Sequence, residues 1–298
     1  MKTESDPSLM ASSNAEGPKN LSRNTVLTEG SWKDILDEID KLGSFVTLDL
    51  SACTRSSADT GGGLRADGIF DPLPGNINGK SKIVSLVLPI EAVGITDAIY
   101  HYDSYLQFIW ISVFKSFRSL KTVSGAGIEN IESSAFKNCK TITSVDFPAV
   151  NNIGEFSFAG CTALASVNFP QARRIDTLAF QNCTALVDVR FPKILSLNKA
   201  VFEGCTSLVN VEFPVANSFG VNTFENTGSK ALTIILGNSA PSLWGSLFDG
   251  VSTEKSVTVK IPDGAAGYDS YWTDSFVGEN DNINVLIDTY TVEAGKNA

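Results

Sequence analysis

Five cysteines, one histidine and a scatter of carboxylates are the residues of this 298-residue chain with chemistry to offer. Cys139, Cys161, Cys183 and Cys205 recur at a step of 22 residues, and Cys53 stands apart. Zinc would need CxxC pairs or histidines at ligand spacing, and neither accompanies them. One cysteine at the same place in every unit reads as a stacked row of small, buried, free thiols. Neighbouring units can bring two of them within bonding distance, so disulfides remain compatible with the spacing. A nucleophilic thiol needs basic neighbours to lower its pKa, and these lack them. His101 has no positioned serine or cysteine with which to build a triad. The glycine-rich stretches TGGGLRADG (60–68) and SGAG (124–127) match neither a P-loop nor a dinucleotide fingerprint and read as loops. Asp188 and Glu212 are placed to face each other across units, as a glycosidase pair would, but acidic side chains are common on solvated sheet faces. The expectation is a protein with no catalytic residue, no cofactor and no metal.

The elements that carry these residues are written several times over. The stretches FKNCKTITSVDFP (136–148), FAGCTALASVNFP (158–170), FQNCTALVDVRFP (180–192) and FEGCTSLVNVEFP (202–214) state a unit FxxCxxLxxVxFPxxxxI. Phe136, Phe158, Phe180, Phe202 and Phe224 keep the same step of 22, as do Val145, Val167, Val189 and Val211. The VxF segment alternates apolar and polar over β-prone residues, which predicts a short strand with one face buried. The proline has no amide hydrogen, so it ends the strand and turns the chain. The apolar residue five positions later anchors the return path, and the FxxC turn drops its phenylalanine and cysteine inside. One unit cannot bury its own apolar side, but a stack can, so the fold is a solenoid.

Fading copies extend the array. FKSFRSLKTVSGAGIENI (114–131), SLVLP (85–89) and TLDLS (47–51) read as earlier rungs, and LTIILG (232–237) and VTVKIP (257–262) as later ones. Roughly seven to nine rungs at about 4.8 Å give a sheet some 30–40 Å long. Apolar ends need caps. SWKDILDEIDKLG (31–43) reads as a capping helix with Ser31 as N-cap, Asp34 in its first turn, Gly43 as terminator and a stripe of Trp32, Ile35, Leu36, Ile39 and Leu42. GYDSYWTDSF and INVLID predict a short helix and a closing strand. The organisation is then a flexible tether (1–28), an N-terminal cap with irregular early repeats (29–113), the repeats (114–262) and a C-terminal cap (263–298).

Composition excludes several function classes. There are 23 Lys plus Arg against 33 Asp plus Glu, a net charge of −10, which disfavours a nucleic-acid partner. No run approaches 18 apolar residues, so no transmembrane segment is expected. The first 25 residues lack the apolar stretch of a signal peptide.

The unit FxxCxxLxxVxFPxxxxI resembles the BspA-like leucine-rich repeats of bacterial surface proteins of the Bacteroidetes and treponeme type, specifically over about residues 110–262. VTLDLSAC and SKIVSLVLP look like the N-terminal part of the same group; in the repeat, phenylalanine stands in VNFP where leucine is usual in the strand, and residues 90–113 depart from the repeat. The resemblance implies a right-handed leucine-rich-repeat solenoid with a parallel sheet on one face, a helical N-terminal cap and an α/β C-terminal cap. It also implies a non-enzymatic, secreted or cell-surface protein, commonly lipid-anchored in its full form, that adheres to host or microbial surface and matrix proteins.

In VxF the named residues point inward, so the residues before and between them point out. The outer face is then Ser144, Asp146, Ser166, Asn168, Asp188, Arg190, Asn210 and Glu212, extended by Thr122 and Ser124 on one side and Thr233, Ile235, Thr258 and Lys260 on the other. A partner-binding patch is expected at Asp146, Asn168, Asp188, Arg190 and Glu212; a merely solvated face is the plainer alternative. The segment IYHYDSYLQFIW (99–110) is a second candidate. Ile99, Tyr102, Leu106 and Ile109 share a helical face, which leaves Tyr100, His101, Tyr105 and Trp110 as possible exposed anchors. Tyr105 and Trp110 would carry carbohydrate binding, and a structural spacer of a surface layer is the third reading.

Overall fold

The computed structural model describes residues 17–55, 57, 63–64, 69–71, 77–95, 113–227, 231–248, 255–277 and 283–290. The chain winds as a solenoid whose rungs stack in parallel. The front sheet has a six-stranded part from Lys19–Ser22 to Ser166–Asn168 and a five-stranded part from Asp188–Arg190 to Ile283–Tyr290. Register is strict: Val145 pairs with Val167, and Val189 with Val211. The sequence step of 22 is therefore a spatial step of one rung. Between Asn168 and Asp188 the two parts of the front sheet separate, and there Val167 is only partly buried while Val145, Val189 and Val211 are buried.

The return path is a second sheet, which the sequence reading treated only as an anchored loop. It has nine strands, mostly two residues each, and runs unbroken across the split in the front sheet. Ile131, Ile153, Ile175, Leu197 and Phe219 lie in register along it and are buried. The apolar residue after each proline is thus a strand residue. Two residues are too short to show a period.

The FxxC turns close the third side, also by a ladder: Phe136 N–H donates to Ser157 O at 2.7 Å, Phe158 to Ala179 at 2.8 Å and Phe180 to Val201 at 3.0 Å. To aim these groups between rungs the chain takes positive φ at Ser134, Phe156, Leu178, Ala200 and Asn222, and again at Asn138, Gly160, Asn182, Gly204 and Asn226. The second set holds only Asn and Gly, the residues that tolerate the left-handed region. It also alternates. A Cβ on Gly160 would lie 2.4 Å from Asn138 Oδ1, and one on Gly204 would lie 2.3 Å from Asn182 Oδ1, so each Asn side chain occupies the space above the next Gly.

Two columns of phenylalanine fill the interior. Phe114, Phe136, Phe158, Phe180, Phe202, Phe224 and Phe248 stack with centroid separations of 4.6, 5.0, 5.2, 5.6, 6.0 and 5.6 Å. Phe147, Phe169, Phe191 and Phe213 form the other, at 6.1, 6.3 and 6.1 Å. Cys139, Cys161, Cys183 and Cys205 are buried in the same core, none of them in a disulfide. Three of the thiols donate back to the preceding rung: Cys161 Sγ to Phe136 O at 3.0 Å, Cys183 to Phe158 O at 3.2 Å and Cys205 to Phe180 O at 3.1 Å. Burial pushes the thiols of Cys161 and Cys183 well above the ordinary range and that of Cys205 up to about 12. They are protonated packing groups.

The N-terminal end corrects the sequence reading. The N-terminal helix spans Glu29–Leu42, and its N-cap is Thr28. Ser31 is the third helical residue of a reciprocal capping box: Ser31 N–H donates to Thr28 Oγ1 at 3.1 Å and Thr28 N–H to Ser31 Oγ at 2.9 Å. The N-cap thus lies three residues before the expected Ser31, Glu29 takes the first turn in place of Asp34, and Leu42 stays exposed. Trp32, Ile35, Leu36 and Ile39 are buried as expected, and Gly43 ends the helix at φ +69°. The tether expected over 1–28 is instead structured in its described part: Lys19–Ser22 is the first strand of the front sheet and Leu27 is fully buried. At the other end the helix Ser270–Val277 sets Phe276 against Phe248 with Trp272 packed on Phe276, and Ile283–Tyr290 closes the sheet. In the later rung LTIILG, Gly237 stands in the proline position because a Cβ there would meet Pro214 O at 2.0 Å.

Candidate functional site

Strand alternation and strict register convert the repeat into rows on the outer face of the front sheet. Asp146, Asn168, Arg190 and Glu212 occupy one position of the unit, and Asp188 and Asn210 the position two residues earlier. All are exposed except the half-buried Glu212, as the period-two pattern requires.

The structure couples these side chains rung to rung. Asn168 Nδ2 donates to Asp146 Oδ1 at 2.7 Å, and Asn210 Nδ2 to Asp188 Oδ1 at 2.6 Å. Arg190 Nε meets Glu212 Oε2 at 3.1 Å. Asp188 and Glu212 were expected to be able to face each other, but Asp188 pairs with Asn210 and Arg190 with Glu212. The two carboxylates therefore lie in different rows, and each has its own partner. What the five residues form is a plane of held donors and acceptors: Asp146 and Asn168 on one side of the split, and Asp188, Arg190 and Glu212 on the other. Such an array fixes hydrogen-bonding groups at the rung spacing with little side-chain freedom left to lose on binding.

Two apolar residues beside this patch escaped the sequence reading. Val187 and Val209 precede Asp188 and Asn210, are 40% and 42% exposed, and stand on adjacent rungs with Val209 N–H donating to Val187 O at 2.8 Å. Thr143 and Ala165 hold that position in the preceding rungs, so the change to valine was the available signal. Trp244, 78% exposed after the short back-sheet strand Ser242–Leu243, was also missed; it is on the opposite sheet. Residues 99–110, with Tyr105 and Trp110, lie outside the described residues. An open cavity of about 520 Å³ is lined by Phe114, Phe117, Arg118, Asn138, Cys139, Lys140 and Thr141. Among the described residues no cluster of three or more His, Cys, Asp or Glu side chains is arranged to hold a metal ion. No helix there is long and apolar enough to cross a membrane.

Residues 129–255 match the profile of the BspA type leucine rich repeat region, in six copies. No curated protein matches the chain. Among solved structures, the chain is similar to a leucine rich repeat protein of T. pallidum at 19% identity, over 64% of this chain and 81% of that one, with a TM-score of 0.36. A leucine-rich repeat protein from Bacteroides ovatus is 17% identical over 68% of this chain and 67% of that one, with a TM-score of 0.32. A leucine rich cell surface protein from Faecalibacterium prausnitzii is 15% identical over 70% and 80%, with a TM-score of 0.27.

Proposed function

Residues 129–255 of this chain are a BspA-type leucine-rich-repeat array, and on that premise we propose that the protein is a cell-surface adhesin or interaction module that binds a host or microbial protein on the outer face of its front sheet. The observation that carries this reading is the patch around the split: Arg190, Glu212, Asp188 and Asn210 held in pairs, next to the exposed Val187 and Val209. A face chosen only for solubility has no need of two adjacent exposed valines. Partner surfaces combine an apolar centre with a polar rim, and this patch offers both on a rigid support. The mixed charges favour a partner surface of mixed sign over a highly charged polymer.

The test is binding of the purified chain to immobilised extracellular-matrix proteins, compared with two front-face variants and one control on the opposite sheet. Replacing Asp188, Arg190 and Glu212 together with Ala weakens saturable binding by about tenfold or more, as expected for loss of a polar rim and its steering charges. Val187→Asp with Val209→Asp weakens it at least as much, while Trp244→Ala on the other sheet leaves it unchanged. Saturable binding that ignores both front-face variants moves the site elsewhere. Absence of saturable binding to any matrix protein favours the structural-spacer reading.

A further inference from the structure

We propose that the last strand, Ile283–Tyr290, is a symmetric docking edge for a second copy of this chain, paired antiparallel and centred on Leu286. The two terminal strands of the front sheet differ. The first, Lys19–Ser22, has four residues, places Lys19 on its inward-facing row opposite the buried Val46, and is followed by Arg23 in an ion pair with Glu38. A short strand with an inward-row charge is a blunted edge. The last described strand has eight residues, pairs among the described residues with Lys255–Pro262 on one side, and carries a single charge, Asp288. It is long, regular and apolar, the kind of edge that templates a further strand.

The backbone sets which groups are offered. Tyr290 O accepts from Asp263 N–H on the inner side of the ladder at 3.0 Å. Alternate residues of a strand turn their N–H and C=O the same way, so Leu286 and Asp288 also face the neighbouring strand, while Val285 and Ile287 present theirs off the edge. Val285 and Ile287 are also the inward residues, in register with the buried Val257 and Val259. The outward row is Asn284, Leu286 and Asp288, and Leu286 is 63% exposed.

A twofold axis perpendicular to the sheet at Leu286 places Leu286 opposite its own copy, Val285 opposite Ile287, and Asn284 opposite Asp288. This register buries the exposed leucine against itself and gives the one carboxylate an amide partner. Neighbouring strands on the same face already use that pairing, at Asn168–Asp146 and Asn210–Asp188. Centring on Ile287 sets Asp288 against Leu286, and centring on Asp288 sets two carboxylates together. An isologous pairing closes after two copies.

Light scattering on the eluting protein then finds a dimer of twice 31.8 kDa that dissociates on dilution. The register is tested by cysteine crosslinking under mild oxidation, for which the native thiols are buried bystanders. Leu286→Cys links to itself, since directly opposite outward residues that do not exchange backbone bonds approach closely enough for a disulfide. Asn284→Cys and Asp288→Cys each fail to link alone but link when mixed. Leu286→Lys weakens dimerisation by at least about tenfold through like charges set opposite each other, with the monomer's melting temperature unchanged because the residue is exposed. A monomer at every concentration, growth beyond the dimer, or self-linking of Asp288→Cys in place of Leu286→Cys overturns the proposal.

Discussion

Phe180 lies near the middle of the longer phenylalanine column and is fully buried, with Phe158 and Phe202 stacked on its two faces at 5.2 and 5.6 Å and Phe169 and Phe191 at its edge at 6.5 and 6.2 Å. Phe180→Ala opens a cavity that close-packed neighbours on adjacent rungs cannot collapse to fill. Deleting a buried phenylalanine costs about 3–5 kcal/mol, and loss of the two stacked pairs brings the expected total to about 4–8 kcal/mol. That is a large fraction of the roughly 5–15 kcal/mol that holds a domain folded. In a stack each rung is coupled only to its neighbours, so a central deficit attacks the coupling between the two halves. The expected result is a urea transition that divides in two, with hydrogen exchange in peptides N-terminal to residue 180 losing its coincidence with exchange in those C-terminal to it. Phe180→Leu keeps most of the volume, costs about 1–2 kcal/mol and retains a single transition. A Phe180→Ala cost below about 2 kcal/mol, set against the range for buried aromatics, refutes the account of the column as the cohesive element. So does one coincident transition with an unchanged denaturant slope.

Two further predictions concern the rows beside that column. The thiols of Cys161, Cys183 and Cys205 are held above the ordinary value of 9.0 by burial, so the folded state keeps protons that the unfolded chain gives up. Their contribution is therefore fully present below about pH 9 and is lost progressively as pH rises above it, for Cys205 toward about 12. Urea midpoints measured from pH 8 to 10.5 fall in the native protein and fall less after all three are changed to Ser; equal slopes contradict the assignment. The Asn–Gly alternation predicts coupling between rungs. Gly160→Ala costs about 1–2 kcal/mol for a Cβ at φ +74°, plus the displacement of Asn138. Adding Asn138→Gly recovers the second part, with a coupling of about 1 kcal/mol in a double-mutant cycle, and strict additivity refutes the contact.

Most of the front face was legible because a strand's side-chain period is two and the repeat step is constant. Once Val145, Val167, Val189 and Val211 are inward, Asp146, Asn168, Asp188 and Arg190 have nowhere to point but out. The pairings were not legible. Asp188 and Glu212 are equally plausible neighbours in one dimension, and only the register decides that Asp188 meets Asn210 and Glu212 meets Arg190. The back sheet escaped because two-residue strands have no periodicity to read. The first strand escaped because KNLS carries neither β-branched residues nor alternation, and its place is set by Val46 and Leu48 beside it.

The sequence by itself determined the solenoid. A unit of 22 residues whose Phe, Cys, Leu and Val cannot be buried alone has to stack, and stacking like on like puts each residue beside its own copy in the next rung. The tertiary structure decided what lies between rungs: the thiols donating to carbonyls one turn back, the Asn–Asp pairs, the split in the front sheet and the unmatched character of its two edges. These depend on distances across neighbouring turns, which the linear order of residues does not contain.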